Sequence, residues 1–202
     1  MKSPIKIKCV LLGSESSGKS SLVLRYKADT FDALAHATIG CAFNLKKFDI
    51  KQQEIYLEIW DTSGSERYKS LLPMYYRSAD VVLICIDLST QIENKSKLDI
   101  WINEIDEIID ISSKIVYIVG TKSDIGDDVC RQNLMVELKK YPEFVYMETS
   151  AKDDMNISRL FNDCAKEIVK KQTELGEQCG LYDMNYHMLT EKQPGCFNKC
   201  YA

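Results

Sequence analysis

The stretch Gly13-Ser14-Glu15-Ser16-Ser17-Gly18-Lys19-Ser20 decides the fold. It has the form G-x4-G-K-S and stands between an apolar run at 5–12 and a segment of helical period at 19–27. A strand that turns through glycines into a helix presents a row of backbone N–H groups to an anion. Gly13 and Gly18 let the backbone wrap, Lys19 reaches the terminal phosphates, and the Ser20 hydroxyl suits Mg2+. Ser14, Glu15, Ser16 and Ser17 complete the cradle, and Ser21 follows it into the helix. A chance match to this form arises in roughly one chain in a hundred of this length at ordinary composition. The element predicts a nucleoside triphosphate ligand and names neither base nor reaction.

Outward from it, short apolar runs at 5–12, 42–50, 54–60, 81–87, 115–120 and 144–148 alternate with longer segments of helical period. Leu98, Trp101, Ile102, Ile105, Ile108 and Ile109 form one helical stripe, and weaker stripes cover 19–27, 128–140 and 156–171. This alternation predicts an α/β fold, a six-stranded, mostly parallel sheet flanked by about five helices. The second and third runs alternate inside and outside (Phe43, Leu45, Phe48; Ile55, Leu57, Ile59) and read as a hairpin at one sheet edge. The folded body is expected over 1–172 and a flexible tail over 173–202.

At 202 residues the chain holds one domain and a remainder, taking roughly 150 residues per domain. The 26 Lys and Arg against 30 Asp and Glu give a formal charge of −4, with no dense basic block, which argues against nucleic acid as a partner. The longest apolar run, 81–86, is far short of the roughly 20 residues of a membrane helix. Lys at position 2 excludes N-myristoylation. Eight cysteines without a C-x-x-C pair suggest free thiols in a reducing compartment.

Other strand ends carry the remaining chemistry. Asp61 closes the third strand, where the metal of a phosphate loop needs an acidic partner, and Gly64 lets a backbone amide approach the terminal phosphate. Thr38, entered from a polar loop, offers a second hydroxyl to Mg2+, and His36 beside it reads as a solvated loop residue. The fifth strand empties into Thr121-Lys122-Ser123-Asp124. A carboxylate there accepts from the N1 and exocyclic amine of guanine, a pair of donors that adenine lacks. Lys122 lays its methylenes on the base, and Ser150-Ala151-Lys152 offers a backbone amide to the guanine oxygen.

Taken together, these residues resemble the small GTPases of the Ras superfamily, Rab branch, over about 6–172. The strings TIGCAF, WDTSGSERY, LLPMYYRSAD and ETSAK carry the similarity, which is greatest toward the early-endosomal group. Glu15, Ser65 and GTKSD are similar to the atypical, autophagy-associated subgroup. The resemblance implies a P-loop small GTPase fold that binds GTP or GDP. Mg2+ would be held by Ser20 and Thr38, with Asp61 acting through water, and Phe31 would cover the guanine face. It also implies a monomer whose switch loops meet effectors, an exchange factor and a GTPase-activating protein. Phe43, Trp60 and Tyr75 resemble the aromatic set that engages effectors.

The departures carry their own expectations. Ser65 stands where the family has the Gln that orients the attacking water, so slow hydrolysis is expected. Thr121 replaces an Asn that ties the base loop to the phosphate loop, and Glu15 adds a carboxylate to an anion-binding loop. Cys196 and Cys200 resemble the cysteine pair that is lipidated by the Rab escort and prenylation machinery. Such a tail would attach a cytoplasmic protein peripherally to the cytosolic face of endosomal or autophagic membranes. Its Glu174, Glu177, Asp183 and Glu191 outnumber Lys192 and Lys199, so charge alone would not hold it to an anionic bilayer. Two rivals remain. One is a constitutively GTP-bound scaffold with negligible turnover; the other is a P-loop phosphotransferase, which would need an Arg-rich lid that the sequence lacks.

Overall fold

The computed structural model describes residues 3–89 and 97–190, without the side chains of Lys97 and of 175–190. Six strands, β1 (Ile5–Leu12), β2 (Cys41–Ile50), β3 (Gln53–Thr62), β4 (Val81–Asp87), β5 (Ile115–Thr121) and β6 (Val145–Glu148), form one sheet in the order β2-β3-β1-β4-β5-β6. The β2–β3 hairpin is antiparallel and every other pairing is parallel, as the sequence predicts. Strand β4, VVLICID, is buried through Ile86, as a strand covered on both faces must be. In β3 the alternation buries Ile55, Leu57 and Ile59 on one face only.

Among the described residues five helices accompany the sheet: α1 (Lys19–Ala28), α2 (Leu72–Tyr76), α3 (Lys97–Asp106), α4 (Asp128–Leu138) and α5 (Ile157–Thr190). Leu98, Ile102 and Ile105 of α3 bury in a core with Val10, Ile84, Val116 and Leu134, which fixes β1, β4 and β5 in place. Helix α3 ends at Asp106, short of the stripe at 98–109; Ile109 still reaches the core, while Ile108 lies in the following turn, 38% exposed. On the other face Tyr26 of α1 stacks on Phe161 of α5 at 4.3 Å.

The chain divides into two units, 1–168 and 169–202, and the first holds the sheet. Helix α5 does not stop at 171 but continues to Thr190, so the segment expected to be tail from 173 begins as helix. The physical reason is local. No proline lies between 157 and 190, and Gly176 and Gly180 each cost only about 1 kcal/mol in a helix. Cys196 and Cys200 lie outside the described residues.

Candidate functional site

Gly13 opens the phosphate loop at φ 145°, Ser16 sits at 58° and Gly18 at 85°. A side chain at Gly13 would place Cβ 2.4 Å from the Cys85 carbonyl oxygen, so only glycine fits between β1 and β4. Gly18 caps α1, and no side chain bonds the first helical N–H groups, which stay available to an anion. Lys19 is 5% exposed; its Nζ donates to the carbonyls of Gly13 (2.9 Å) and Ser14 (2.8 Å) and to Ser17 Oγ (3.3 Å). Burial holds this ammonium below its ordinary pKa, opposed by the charges of Cys85, Asp61 and Glu15. Its charge therefore lacks an adequate counter-ion, which a phosphate would supply.

Ser20, Thr38 and Asp61 converge. Ser20 Oγ and Thr38 Oγ1 share a hydrogen bond of 2.6 Å, and Thr38 Oγ1 donates to Asp61 Oδ2 at 3.3 Å. Asp61 Oδ1 is buried without a partner, and burial raises the carboxyl pKa against the lowering effects of Ser20, Lys19 and Thr38. An orphaned carboxylate oxygen beside two hydroxyls is a hard-oxygen set that suits Mg2+. One carboxylate is too little for a protein cage, and no cluster of three or more His, Cys, Asp or Glu occurs among the described residues. A cation here would complete its shell with ligand oxygens and water.

Gly64 lies against the phosphate loop, where a Cβ would stand 2.3 Å from the Glu15 amide nitrogen. The Ser63 amide donates to the Gly40 carbonyl at 2.8 Å, joining the two loops that flank the β2–β3 hairpin. Ser65 does not line the cleft; its amide donates to Ser63 Oγ at 3.3 Å. Glu15 is exposed at the rim.

At the far end, Thr121 Oγ1 donates to the Ser17 carbonyl (2.7 Å) or the Ile86 carbonyl (3.1 Å), so the short hydroxyl does tie the two loops. Ser150 Oγ donates to Asp124 Oδ1 (2.8 Å), leaving the second carboxylate oxygen 4.0 Å from Lys152 Nζ. Lys122, at φ 56°, is anchored by Asp87 at 2.8 Å. Phe31, Lys122, Asp124, Ala151 and Lys152 line the same cleft of about 500 Å3 as the phosphate loop from Glu15 to Ser21. Gly13, Ser14 and Ser150 support it from behind.

Two residues that the sequence reading misses organise the base end. Arg131 of α4 donates to the Ser123 carbonyl (2.7 Å), the Gly126 carbonyl (3.0 Å) and Glu148 Oε2 (3.1 Å). Arg25 of α1 donates to the carbonyls of Ala151 (2.8 Å) and Lys152 (3.2 Å). Neither belongs to a motif string, since each acts on backbone oxygens, those of Arg25 more than 120 residues away in sequence. Phe43, Trp60 and Tyr75 are in ring contact, with centroids 5.2 and 5.8 Å apart, and Trp60 and Tyr75 also pack on the core.

Comparison with known proteins agrees with this geometry. A profile of the Ras family matches residues 8–170. Ras-related protein Rab-17 of Mus musculus is 36% identical over 176 residues, 86% of this chain and 80% of that protein. Ras-related protein Rab-18 of Lymnaea stagnalis is 32% identical, covering 81% of each chain. The GTP-binding protein YPT52 of Saccharomyces cerevisiae is 34% identical, covering 86% of this chain and 87% of its own.

The chain is a Rab-family small GTPase of the Ras superfamily. The expected fold class is the one observed, and the Rab strings fall on working parts of it. TIGCAF enters β2 at the Thr38 site, WDTSGSERY leaves β3 at Asp61, and ETSAK follows β6 onto the base loop. No helix among the described residues of this Rab-family chain is long and apolar enough to cross a membrane.

Proposed function

We propose that this Rab-family protein is a guanine-nucleotide switch of membrane traffic that binds GTP with Mg2+ and hydrolyses it slowly to GDP and phosphate. The observation that carries this reading is one cleft with the uncapped α1 and Lys19 at one end and Asp124 at the other. Lys19 and the loop amides bind the phosphates, and Asp124 selects guanine through its paired donors. Ser20 and Thr38 would hold the Mg2+, with Asp61 orienting a metal-bound water. When bound, that cation neutralises charge on the terminal phosphate oxygens.

Thr38 and the Gly64 amide sit on the two flanking loops, so a terminal phosphate orders both, and its loss releases both. Hydrolysis is slow because Ser65 is short and lies outside the cleft. A nucleophilic water misplaced by about 1 Å loses on the order of 100-fold in rate. Cys196 and Cys200 are the proposed lipid attachment sites, carrying the protein to the cytosolic face of endosomal or autophagic membranes with escort assistance. Effectors, an exchange factor and an activating protein are its proposed partners.

Single-turnover hydrolysis of labelled GTP beside a Ser65→Gln variant tests this reading. Faster turnover in the variant is the expected result. Equal, negligible turnover in both, with GTP still bound, favours a constitutively loaded scaffold, a reading that the position of Ser65 outside the cleft supports.

A further inference from the structure

The charged side chains of the cleft are balanced at one end and unbalanced at the other. At the base end Lys122 pairs with Asp87 at 2.8 Å, and Lys152 stands 4.0 Å from Asp124. At the phosphate end the lysine is Lys19, and two carboxylates, Asp61 and Glu15, act on it. Burial lowers the Lys19 pKa, and the charges of Cys85, Asp61 and Glu15 oppose that effect. One lysine against two carboxylates leaves an excess of negative charge, the wrong sign for a site that receives an anion.

Asp61 would be answered by the cation that Ser20 and Thr38 suit, but Glu15 has no such partner. Its side chain is exposed, lines the cleft, and takes part in no ion pair among the described residues. The other acids that line the cleft stand elsewhere. Asp32 accepts from the Leu34 amide at 2.8 Å in the loop of Phe31, and Asp124 is at the base end. The backbone of Glu15 sits against Gly64, whose Cβ, if it had one, would lie 2.3 Å from the Glu15 amide nitrogen. In the switch reading the Gly64 amide meets the terminal phosphate, whereas the uncapped N–H groups after Gly18 face the inner ones. The last phosphate is therefore the one nearest this carboxylate.

We propose that Glu15 is a specificity-determining residue whose carboxylate repels the terminal phosphate and biases the cleft toward GDP. The proposal rests on the switch reading above for the order of the phosphates along the loop, and adds what sets the balance between the two nucleotides. GTP carries roughly one more unit of negative charge than GDP, and carries it at the end where Glu15 stands. Exposure limits the effect, since water and salt screen a surface carboxylate. A bias of about fivefold is of the size that such a charge supplies. Glu15 bonds neither Lys19 nor the hydroxyls of Ser20 and Thr38, so its charge tunes which nucleotide is kept and leaves the groups that hold both in place.

The test is the equilibrium affinity of the full chain for GDP and for a non-hydrolysable GTP analogue, each with Mg2+, in wild type and in Glu15→Asp, Glu15→Gln and Glu15→Lys. At about 0.02 M salt the ratio of analogue affinity to GDP affinity is expected to rise about fivefold in Glu15→Gln and further in Glu15→Lys, and to hold its wild-type value in Glu15→Asp. The order then follows charge and not size. At about 0.5 M salt, where the screening length is about 4 Å, the variants are expected to agree with wild type within about twofold. Thermal unfolding and GDP affinity of each variant establish that it is folded. The proposal is overturned if the ratio is unchanged in Glu15→Gln, if both nucleotides gain equally, if Glu15→Asp behaves as Glu15→Gln, or if the difference ignores salt. An unchanged ratio with slower single-turnover hydrolysis of GTP in Glu15→Gln would also overturn it, by giving the carboxylate to the attacking water. Wild type that binds neither guanine nucleotide would sink the switch reading and the proposal together. Wild type that binds both, with a ratio blind to the charge at position 15, would sink the proposal alone.

Discussion

The Thr121 hydroxyl lies 2.7 Å from the Ser17 carbonyl, a contact from the end of β5 to the phosphate loop across 104 residues of sequence. Thr121→Val keeps the volume and removes the donor, leaving the buried carbonyls of Ser17 and Ile86 short of a partner. That costs about 1–3 kcal/mol. GDP dissociation, followed with a fluorescent GDP, is expected to accelerate by about tenfold. An unchanged rate would mean that the base loop is held by other contacts.

Gly64→Ala places a methyl 2.3 Å from the Glu15 amide nitrogen and 2.4 Å from the Ser14 carbonyl carbon, both backbone atoms that cannot swing aside. The loop after β3 must retreat. GDP affinity is expected to persist while the preference for GTP over GDP falls by about tenfold, on the order of 1.4 kcal/mol. Equilibrium titration with both nucleotides checks this, and an unaltered ratio would deny Gly64 a part in sensing the terminal phosphate.

Asp124→Asn replaces an acceptor pair by one acceptor and one donor. Guanine's amine loses its partner, whereas the 2-oxo group of xanthine gains one. GTP affinity should fall by about 10,000-fold, the scale of an unpaired buried polar group, and XTP should bind in its place. Competition between the two nucleotides against a fluorescent analogue reads the exchange.

Cys41 begins the edge strand β2, and burial, with the charge of Asp61, pushes its thiol up to about 11. At pH 8 the thiolate fraction is then on the order of 0.001, about 100-fold below that of an ordinary cysteine. Peptide-resolved alkylation should be slower by that factor than in the unfolded chain and rise about tenfold per pH unit. Rapid alkylation at pH 7 would show that the strand opens.

Much of this was legible because the chemistry sits in local strings. Residues 13–20 carry their own turn signals, and the buried strands β1, β4 and β5 read as apolar runs bounded by glycine or polar residues. The short α2 at Leu72–Tyr76 lacks a period long enough to register, since five residues make little more than one turn. Arg25 and Arg131 were invisible for a different reason. Each bonds carbonyls, which every residue has, so nothing in the sequence marks their targets. The Thr38–Asp61 contact depends on β2–β3 register, which alternation fixes only to within two residues.

Helix α1 starts at Lys19 beneath the proposed phosphate site and, at Arg25, grips the Ala151 and Lys152 carbonyls behind the proposed base site. Both ends of the nucleotide site therefore hang from one rigid lever about 15 Å long. A partner that tilts this helix loosens base-side and phosphate-side contacts in a single stroke, without touching the nucleotide. Conversely, a bound nucleotide clamps the lever at two points, so occupancy of the cleft is felt wherever α1 meets the rest of the protein.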